Sequence, residues 1–290
     1  MEDSVILVTT TGKVGSEASR LLAKRGVPVR VLAHHPSQAA ALAEAGVDVV
    51  EGDLDVPESI DVAMQGVSSV VLVSPAIPAQ ELNVIESALR ASGAGVAGAR
   101  HVVKITSKAS SDSPIARRRG QAQIENRLIA SGLAYTLLRN NAYMQNFLML
   151  APAIASSGSF ASPTGDGRVG MIDTRDVAAV AAEIAASPRP HAGKTYWPTG
   201  PERLSYADAA RVLSNVLGRE ISFRPITCEE QKQAMINAGL PEVVADDNAK
   251  ALTLFADGDA DYVTDDVPAL LGRPARSFEQ FVTDYAAAFL

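Results

Sequence analysis

Six short apolar runs, each followed by a helix-patterned stretch, constrain this chain more than any other feature. They are residues 5–8, 28–33, 47–50, 70–73, 102–105 and 135–138. Each has the length of a buried parallel strand. The stretches between them place apolar residues on one helical face, as Val14, Ala18, Leu21 and Leu22 do after the first run. Further helices are expected over 38–45, 57–65, 79–92 and 120–131. Strict alternation of this kind predicts an α/β fold with a doubly wound parallel sheet.

Past Asn140 the pattern loosens. Residues 152–170 are rich in Gly, Ser, Ala and Pro and read as loops with a short strand around Phe160. Helices are expected over 174–186, 205–217, 229–238, 241–255 and 277–289, with strands over 195–197 and 221–225. The expected organisation is a nucleotide-binding domain over 1–150, its sheet and helix completed by about 170–200, and a smaller C-terminal α+β substrate domain over 151–290.

Composition narrows the function classes. A net charge of -7 offers no basic surface for nucleic acid, and Arg117, Arg118 and Arg119 form the one dense basic cluster, read as a solvated helix start. With a single cysteine, Cys228, the chain has no intrachain disulfide, which fits a reducing compartment and a cytoplasmic location. No apolar run approaches the roughly 18 residues that a membrane span needs. The sequence carries neither a G-x-S-x-G hydrolase elbow nor a G-x-x-x-x-G-K-[ST] phosphate loop. Adjacent His34 and His35 lack a third ligand nearby, so no metal site is expected.

The turn after the first strand carries the chemistry. Thr9-Thr10-Thr11-Gly12-Lys13-Val14-Gly15 joins a buried strand to a helix. Amides at such a helix start, with the helix dipole behind them, suit a pyrophosphate, and glycine permits close backbone approach. Thr10, Thr11, Gly12, Lys13 and Val14 are therefore the expected cradle of a dinucleotide. An NAD-selective site places a carboxylate about 20 residues further on. Here that zone holds His34 and His35, with Arg30 near, which favours NADP (NADPH) and leaves NAD as the alternative. Asp53 and Leu54 follow the third strand and are expected at the adenosine end, although Asp53 also suits a helix cap. Ser74 after the fourth strand is a further cofactor-side candidate, and Lys104 within the fifth is either a structural or a cofactor-side contact.

The stretches Thr11-Gly-Lys-Val-Gly15, Gly52-Asp-Leu54, Val103-Lys-Ile-Thr-Ser107, Glu125 with Tyr135-Thr-Leu-Leu-Arg139, and Tyr143-Met-Gln-Asn146 together resemble the NmrA-like family. Thr199-Gly-Pro-Glu202 and Leu271-Gly-Arg-Pro274 resemble its C-terminal part, so the likeness spans essentially the whole chain. These are atypical short-chain dehydrogenase/reductases related to quinone and triphenylmethane reductases. The resemblance implies a Rossmann domain, a small C-terminal substrate domain and a cleft between them. It also implies either an NAD(P)H-dependent reductase or a non-catalytic redox sensor.

Three departures bear on that choice. Thr9 replaces the first glycine, which is expected to make the turn bulkier at the pyrophosphate. His34 stands where an Arg often reads the 2′-phosphate. Gln121 stands where many relatives carry His, and an amide orients a substrate oxygen but delivers no proton at neutral pH. None of the six tyrosines begins a Tyr-x-x-x-Lys pair. Ketone reduction by that acid is disfavoured, whereas a quinone accepts hydride with water as the later proton source. The expected function is reduction of a small aromatic or conjugated carbonyl compound, quinones included. Gln121, Ser107 and Tyr143 are the expected substrate-side residues, and Tyr143, Met144 and Phe147 either wall an aromatic substrate or pack a core. The segment around Phe160 is expected to cover the same opening. An NADP(H)-sensing regulatory protein and a non-redox isomerase or lyase are the alternatives, with a monomer or homodimer as the assembly.

Overall fold

A computed structural model describes residues 5–75, 77–93 and 101–290. The first part of the chain runs β1 Val5–Val8, α1 Lys13–Lys24, β2 Val29–Ala33, α2 Ala40–Glu44, β3 Asp48–Glu51, α3 Pro57–Ala63 and β4 Val67–Leu72. It continues with α4 Pro78–Gly93, β5 His101–Thr106, α5 Ala116–Ala130 and β6 Ala134–Arg139. Then come α6 Ala151–Ser157, β7 Ser159–Ser162, α7 Thr174–Ala186, β8 Lys194–Tyr196, α8 Tyr206–Leu217, β9 Ser222–Pro225 and four more helices. These are α9 Cys228–Asn237, α10 Glu242–Ala256, α11 Asp266–Leu271 and α12 Phe278–Asp284.

Two compact units result. The first takes residues 1–113, 117–140 and 175–197, and the second takes 114–116, 141–174 and 198–290. The first unit holds a seven-stranded sheet in the order β3-β2-β1-β4-β5-β6-β8, every pairing parallel. That order reverses between β1 and β4, the switch point where doubly wound sheets receive ligands. All six expected strands form. The chain returns through α7 to add β8, so the first unit recruits residues beyond 150.

Apolar burial explains the sheet. Leu7, Val70, Val102 and Leu137 are buried on successive strands, packed with Ile85 and Val84 of α4 and with Ile124 and Leu128 of α5. Strand β5 is buried at all six positions despite its His and Lys, so both polar side chains must find partners inside. His101 Nε2 meets Thr136 Oγ1 at 2.9 Å, and that hydroxyl donates to the His191 carbonyl at 2.8 Å. With its proton committed, Thr136 accepts from His101, so Nε2 carries the ring hydrogen.

In the second unit an aromatic core gathers Phe147, Phe160, Tyr206 and Phe278. Phe147 lies 4.8 Å from Phe278, 5.1 Å from Tyr206 and 5.6 Å from Phe160, centroid to centroid. Phe147 and Met144 are therefore core residues at 1% exposure rather than walls for a substrate. Phe160 belongs to β7, which pairs in parallel with β9, and it too is buried rather than covering an opening. The stretch expected to be loop at 152–157 is helical instead. Pro152 lies in the first turn of α6, where its missing N–H costs nothing, and Gly158 ends the helix at φ 64°. Helix α11 was not expected from the sequence, and the expected helix 277–289 divides into α12 and a 3₁₀ turn over Ala286–Ala288. Among the described residues no helix is long and apolar enough to cross a membrane.

Burial pushes the His101 imidazole down to about 4, with His191 nearby adding to the effect. An unfolded chain titrates this ring near ~6.5, so between the two values it binds more protons than the folded one. The His101 contribution to stability is thus complete above pH about 6.5 and is lost as pH falls toward about 4. Urea unfolding of the parent and of His101→Gln over that range checks this. The variant should lose less stability on acidification, and equal slopes would contradict the assignment.

Candidate functional site

The parallel sheet brings the carboxyl ends of its strands to one edge, and most of the expected residues follow those ends. Thr10 and Thr11 follow β1, His34 follows β2, Asp53 and Leu54 follow β3, Ser74 follows β4, and Ser107 follows β5. A cleft of about 350 Å³ opens there, lined by Thr10, Thr11, His34, Asp53 and Leu54 among others. Asp55 and Gln80 also line it. Sequence reasoning missed both, since Asp55 reads as loop polarity and Gln80 as an ordinary helix residue.

Two glycines shape the approach to α1. A Cβ on Gly15 would lie 2.0 Å from the Thr10 carbonyl oxygen, a backbone atom that cannot step aside. Residue 15 is therefore glycine because helix and strand ends touch. Gly12, the residue before the helix, makes no side-chain capping bond, and the first turn contains no acid. Nothing on the helix's own first turn competes with an anion for its amides. Lys13 is exposed on that turn and Val14 is buried beneath it. This architecture fits a pyrophosphate.

Thr9 does not crowd the cradle. Its hydroxyl turns into the sheet, donating to the Val73 carbonyl at 2.5 Å and accepting from the Val73 N–H at 3.0 Å. The threonine in place of the first glycine thus ties β1 to the end of β4. Arg30 stands away from the adenosine end. Its guanidinium pairs with Asp48 at 2.7 Å and donates to the carbonyls of Ala63 and Gln65. The imidazoles of His34 and His35 stay at the sheet edge. His34 is exposed, its Nδ1 lies 3.4 Å from Asp53 Oδ2, and its ring meets His35 edge-on at 4.4 Å. Asp53 also accepts from the Asp55 N–H at 2.8 Å, which orders the turn beneath the cleft.

Lys104 makes no approach to the cleft. It is fully buried, pairs with Glu81 at 2.5 Å and donates to the Ile105 carbonyl at 2.6 Å. Burial pulls its ammonium below the usual lysine range, while the Glu81 carboxylate acts in the opposite direction. Ser74 donates to the other Glu81 oxygen at 2.6 Å. The fifth strand's lysine is thus a structural cation that anchors α4, and Ser74 is the point where that anchor reaches the sheet edge.

Gln121 is buried on α5, and its amide oxygen accepts from Thr106 at 2.9 Å. Ser107 is next in the chain, half-buried. Nearby, Glu125 is buried and holds Arg139 by two bonds of 2.5 and 3.2 Å, with the guanidinium 5.2 Å from the centre of the Trp197 ring. Tyr143 lies in the second unit, half-buried and bridged in parallel to Ile172. No cluster of metal-ligating side chains occurs among the described residues.

Comparison with known proteins agrees with this architecture. Residues 1–271 match the NmrA-like family. An NAD(P)H azoreductase from Xenophilus azovorans is 38% identical over 98% of this chain and 99% of its own. The NADPH-dependent quinone oxidoreductase of Escherichia coli, in complex with NADPH, superposes with a TM-score of 0.85 at 26% identity, covering 97% of this chain and 99% of that one. The Citrobacter triphenylmethane reductase, in complex with NADP(H), gives 0.83 at 26% identity over 96% and 99%.

The Gly15 contact yields a direct test. Gly15→Val should abolish measurable NADPH binding by calorimetry, because the side chain must displace the Thr10 carbonyl or lift α1 from the sheet. Binding equal to the parent would place the pyrophosphate elsewhere.

Proposed function

The chain belongs to the NmrA-like family, and we propose on that footing that it is an NADPH-dependent oxidoreductase of small aromatic or conjugated acceptors, quinones among them. The observation that carries the reading is the cradle at the start of α1, where Gly15 lets backbone meet backbone beside the cleft. The relatives named above act with NAD(P)H on azo, quinone and triphenylmethane compounds, as their names state. Azo compounds, quinones and cationic triphenylmethane dyes each offer an electrophilic centre conjugated with unsaturated or aromatic groups.

NADPH supplies a hydride to the electrophilic atom of the acceptor. The chain's residues bind and orient. Amides from Thr10 to Val14 and the α1 dipole hold the pyrophosphate. Asp53, Leu54 and His34 receive the adenosine half, with His34 and His35 offering ring N–H donors to a 2′-phosphate. Ser74 stands on the far side of the switch point, toward the hydride end. Thr106 occupies the Gln121 amide oxygen, so the amide nitrogen is the end that donates to a substrate oxygen, and Ser107 supplies a second orienting bond. Tyr143, half-buried in the second unit, is the aromatic residue we propose for substrate selection. Charge delivered to a quinone is stabilised by its own conjugation, so its oxygens take protons from water and no dedicated acid is required. We place the protein in the cytoplasm, as a monomer or homodimer.

One motive for a purely sensing role weakens, since the Thr9 hydroxyl is tied to the Val73 backbone at the cleft floor. Steady-state oxidation of NADPH with a panel of quinones, azo compounds and enones tests the proposal. Turnover with at least one class is expected, and tight NADPH binding with no turnover across the panel would favour the sensor. Within the same assay, Gln121→Ala should lower kcat/KM about 10-fold, the effect of one lost orienting bond worth about 1.4 kcal/mol. A loss of ~10²–10⁴-fold would instead mark it as part of proton transfer. Unchanged turnover would remove Gln121 from the site.

A further inference from the structure

Helix α4 reaches the adenosine side of the cleft with two amide side chains. Gln80 Nε2 donates to Asp55 Oδ2 at 2.9 Å, and Asn83 Nδ2 donates to the Leu54 carbonyl at 2.9 Å. Three residues apart, the two side chains share one helical face. They land on consecutive residues of the turn that follows β3. That turn also has local ties: the Asp55 N–H reaches Asp53 Oδ1 at 2.8 Å, and the Asp53 N–H reaches Ser59 Oγ at 2.9 Å. Local bonds shape the turn, but the bonds from α4 fix it against the rest of the sheet edge. Asp53, Leu54, Asp55 and Gln80 line the cleft, whereas Asn83 acts from behind it.

Helix α4 is a firm support. Glu81 is buried between Ser74 and Lys104, and Val84 and Ile85 are buried in the core. With α4 held on that face, Gln80 and Asn83 have no freedom to follow a wandering turn. Gln80 also decides where the Asp55 carboxylate goes. Oδ2 is drawn toward α4, so the direction of an exposed acid in the cleft is fixed by the Gln80 amide.

We propose that Gln80 and Asn83 are positioning residues for the adenosine half of the cofactor, holding residues 53–55 in the binding shape before the ligand arrives. This inference rests on the reading of the cleft as the cofactor site. A turn ordered in advance adds no ordering cost on binding. Loss of either amide leaves that cost to the ligand, and loss of Gln80 also frees the Asp55 carboxylate beside bound phosphates. Replacing Gln80 with Glu goes further, because two carboxylates would then face each other across the span that the present hydrogen bond occupies.

Calorimetry with NADPH and with adenosine 2′,5′-bisphosphate, which carries the adenosine half alone, tests this in full-length protein. Gln80→Ala and Asn83→Ala should each raise the Kd of both ligands about 5- to 10-fold, the effect of one lost hydrogen bond. Gln80→Glu should raise it more than Gln80→Ala. The Gln80 variants should unfold at the parent's midpoint, and KM for NADPH should rise while kcat at saturating NADPH holds, which general loosening of the fold would not produce. If Asn83→Ala fails to fold, the two Gln80 variants decide. Parent-like affinity in the Gln80 variants overturns the inference and leaves the oxidoreductase reading standing. Weakened NADPH with an unaffected bisphosphate also overturns it, because the effect would then lie outside the adenosine half. A parent that binds neither ligand overturns the cofactor reading itself and the inference with it.

Discussion

The Thr10 carbonyl oxygen occupies the place where residue 15 would carry a side chain. That single backbone approach fixes how α1 leaves the sheet, and much else depends on it. Because α1 starts against the end of β1, its first amides face outward at the edge where β1 and β4 diverge. Because Thr9 is sewn to Val73 on the neighbouring strand, the strand end that carries Thr10 cannot drift. The cradle is therefore made by covalent geometry and two strand ends, with side chains in a supporting role. A turn built in this way has no room for a side chain at 15.

Two buried charge pairs set the helices that flank this edge. Lys104 and Glu81 sit at 0% and 1% exposure, 2.5 Å apart. Taking both charges out of water costs as much as their attraction returns, so such a pair is weak evidence for stability. Its effect here is geometric. One Glu81 oxygen meets Lys104 and the other receives Ser74, which fixes the rotation of α4 about its axis and turns Gln80 and Asn83 toward the 53–55 turn. Glu125 and Arg139 do the same for α5 and β6, with Trp197 closing over the guanidinium. An apolar pair of similar volume at 81 and 104 would fill the same space, but it would hold the Ser74 hydroxyl by no bond.

The sheet was legible because its strands are continuous apolar runs, and burial on both faces demands that pattern. The parallel winding followed from alternation, and the close strand-to-helix turn at α1 from two glycines three apart, whereas the order of the strands came only with the structure. Caps were legible too: Ser205 and Gly218 bound α8 as their residue types imply. What the sequence concealed were tertiary partners. Lys104 reads as a cation near a ligand, yet its partner is a glutamate 23 positions earlier that no local pattern links to it. Arg30 reads as a phosphate contact, yet it closes on Asp48 and two carbonyls. Met144 and Phe147 read equally as substrate walls or core, because an apolar residue near a strand end carries no mark of which side it faces. Helix α6 was hidden by a composition of Ala, Ser and Pro that loops share.

The substrate side follows from what the edge lacks. Gln121 offers an amide already oriented by Thr106, and an amide neither gives nor takes a proton near neutral pH. An isolated ketone reduced by hydride becomes an alkoxide, a charge localised on one oxygen that demands an acid in the transition state. A quinone or a cationic triphenylmethane spreads the incoming charge, or loses its own, over a conjugated frame. For such acceptors the barrier lies in bringing hydride donor and acceptor together at the right distance and angle, which is a matter of positioning. A cofactor edge with no Tyr-x-x-x-Lys pair in the chain is matched to the second group and poorly matched to the first. The relatives of this chain include azo, quinone and triphenylmethane reductases, so acceptors of different skeleton are reduced on one fold.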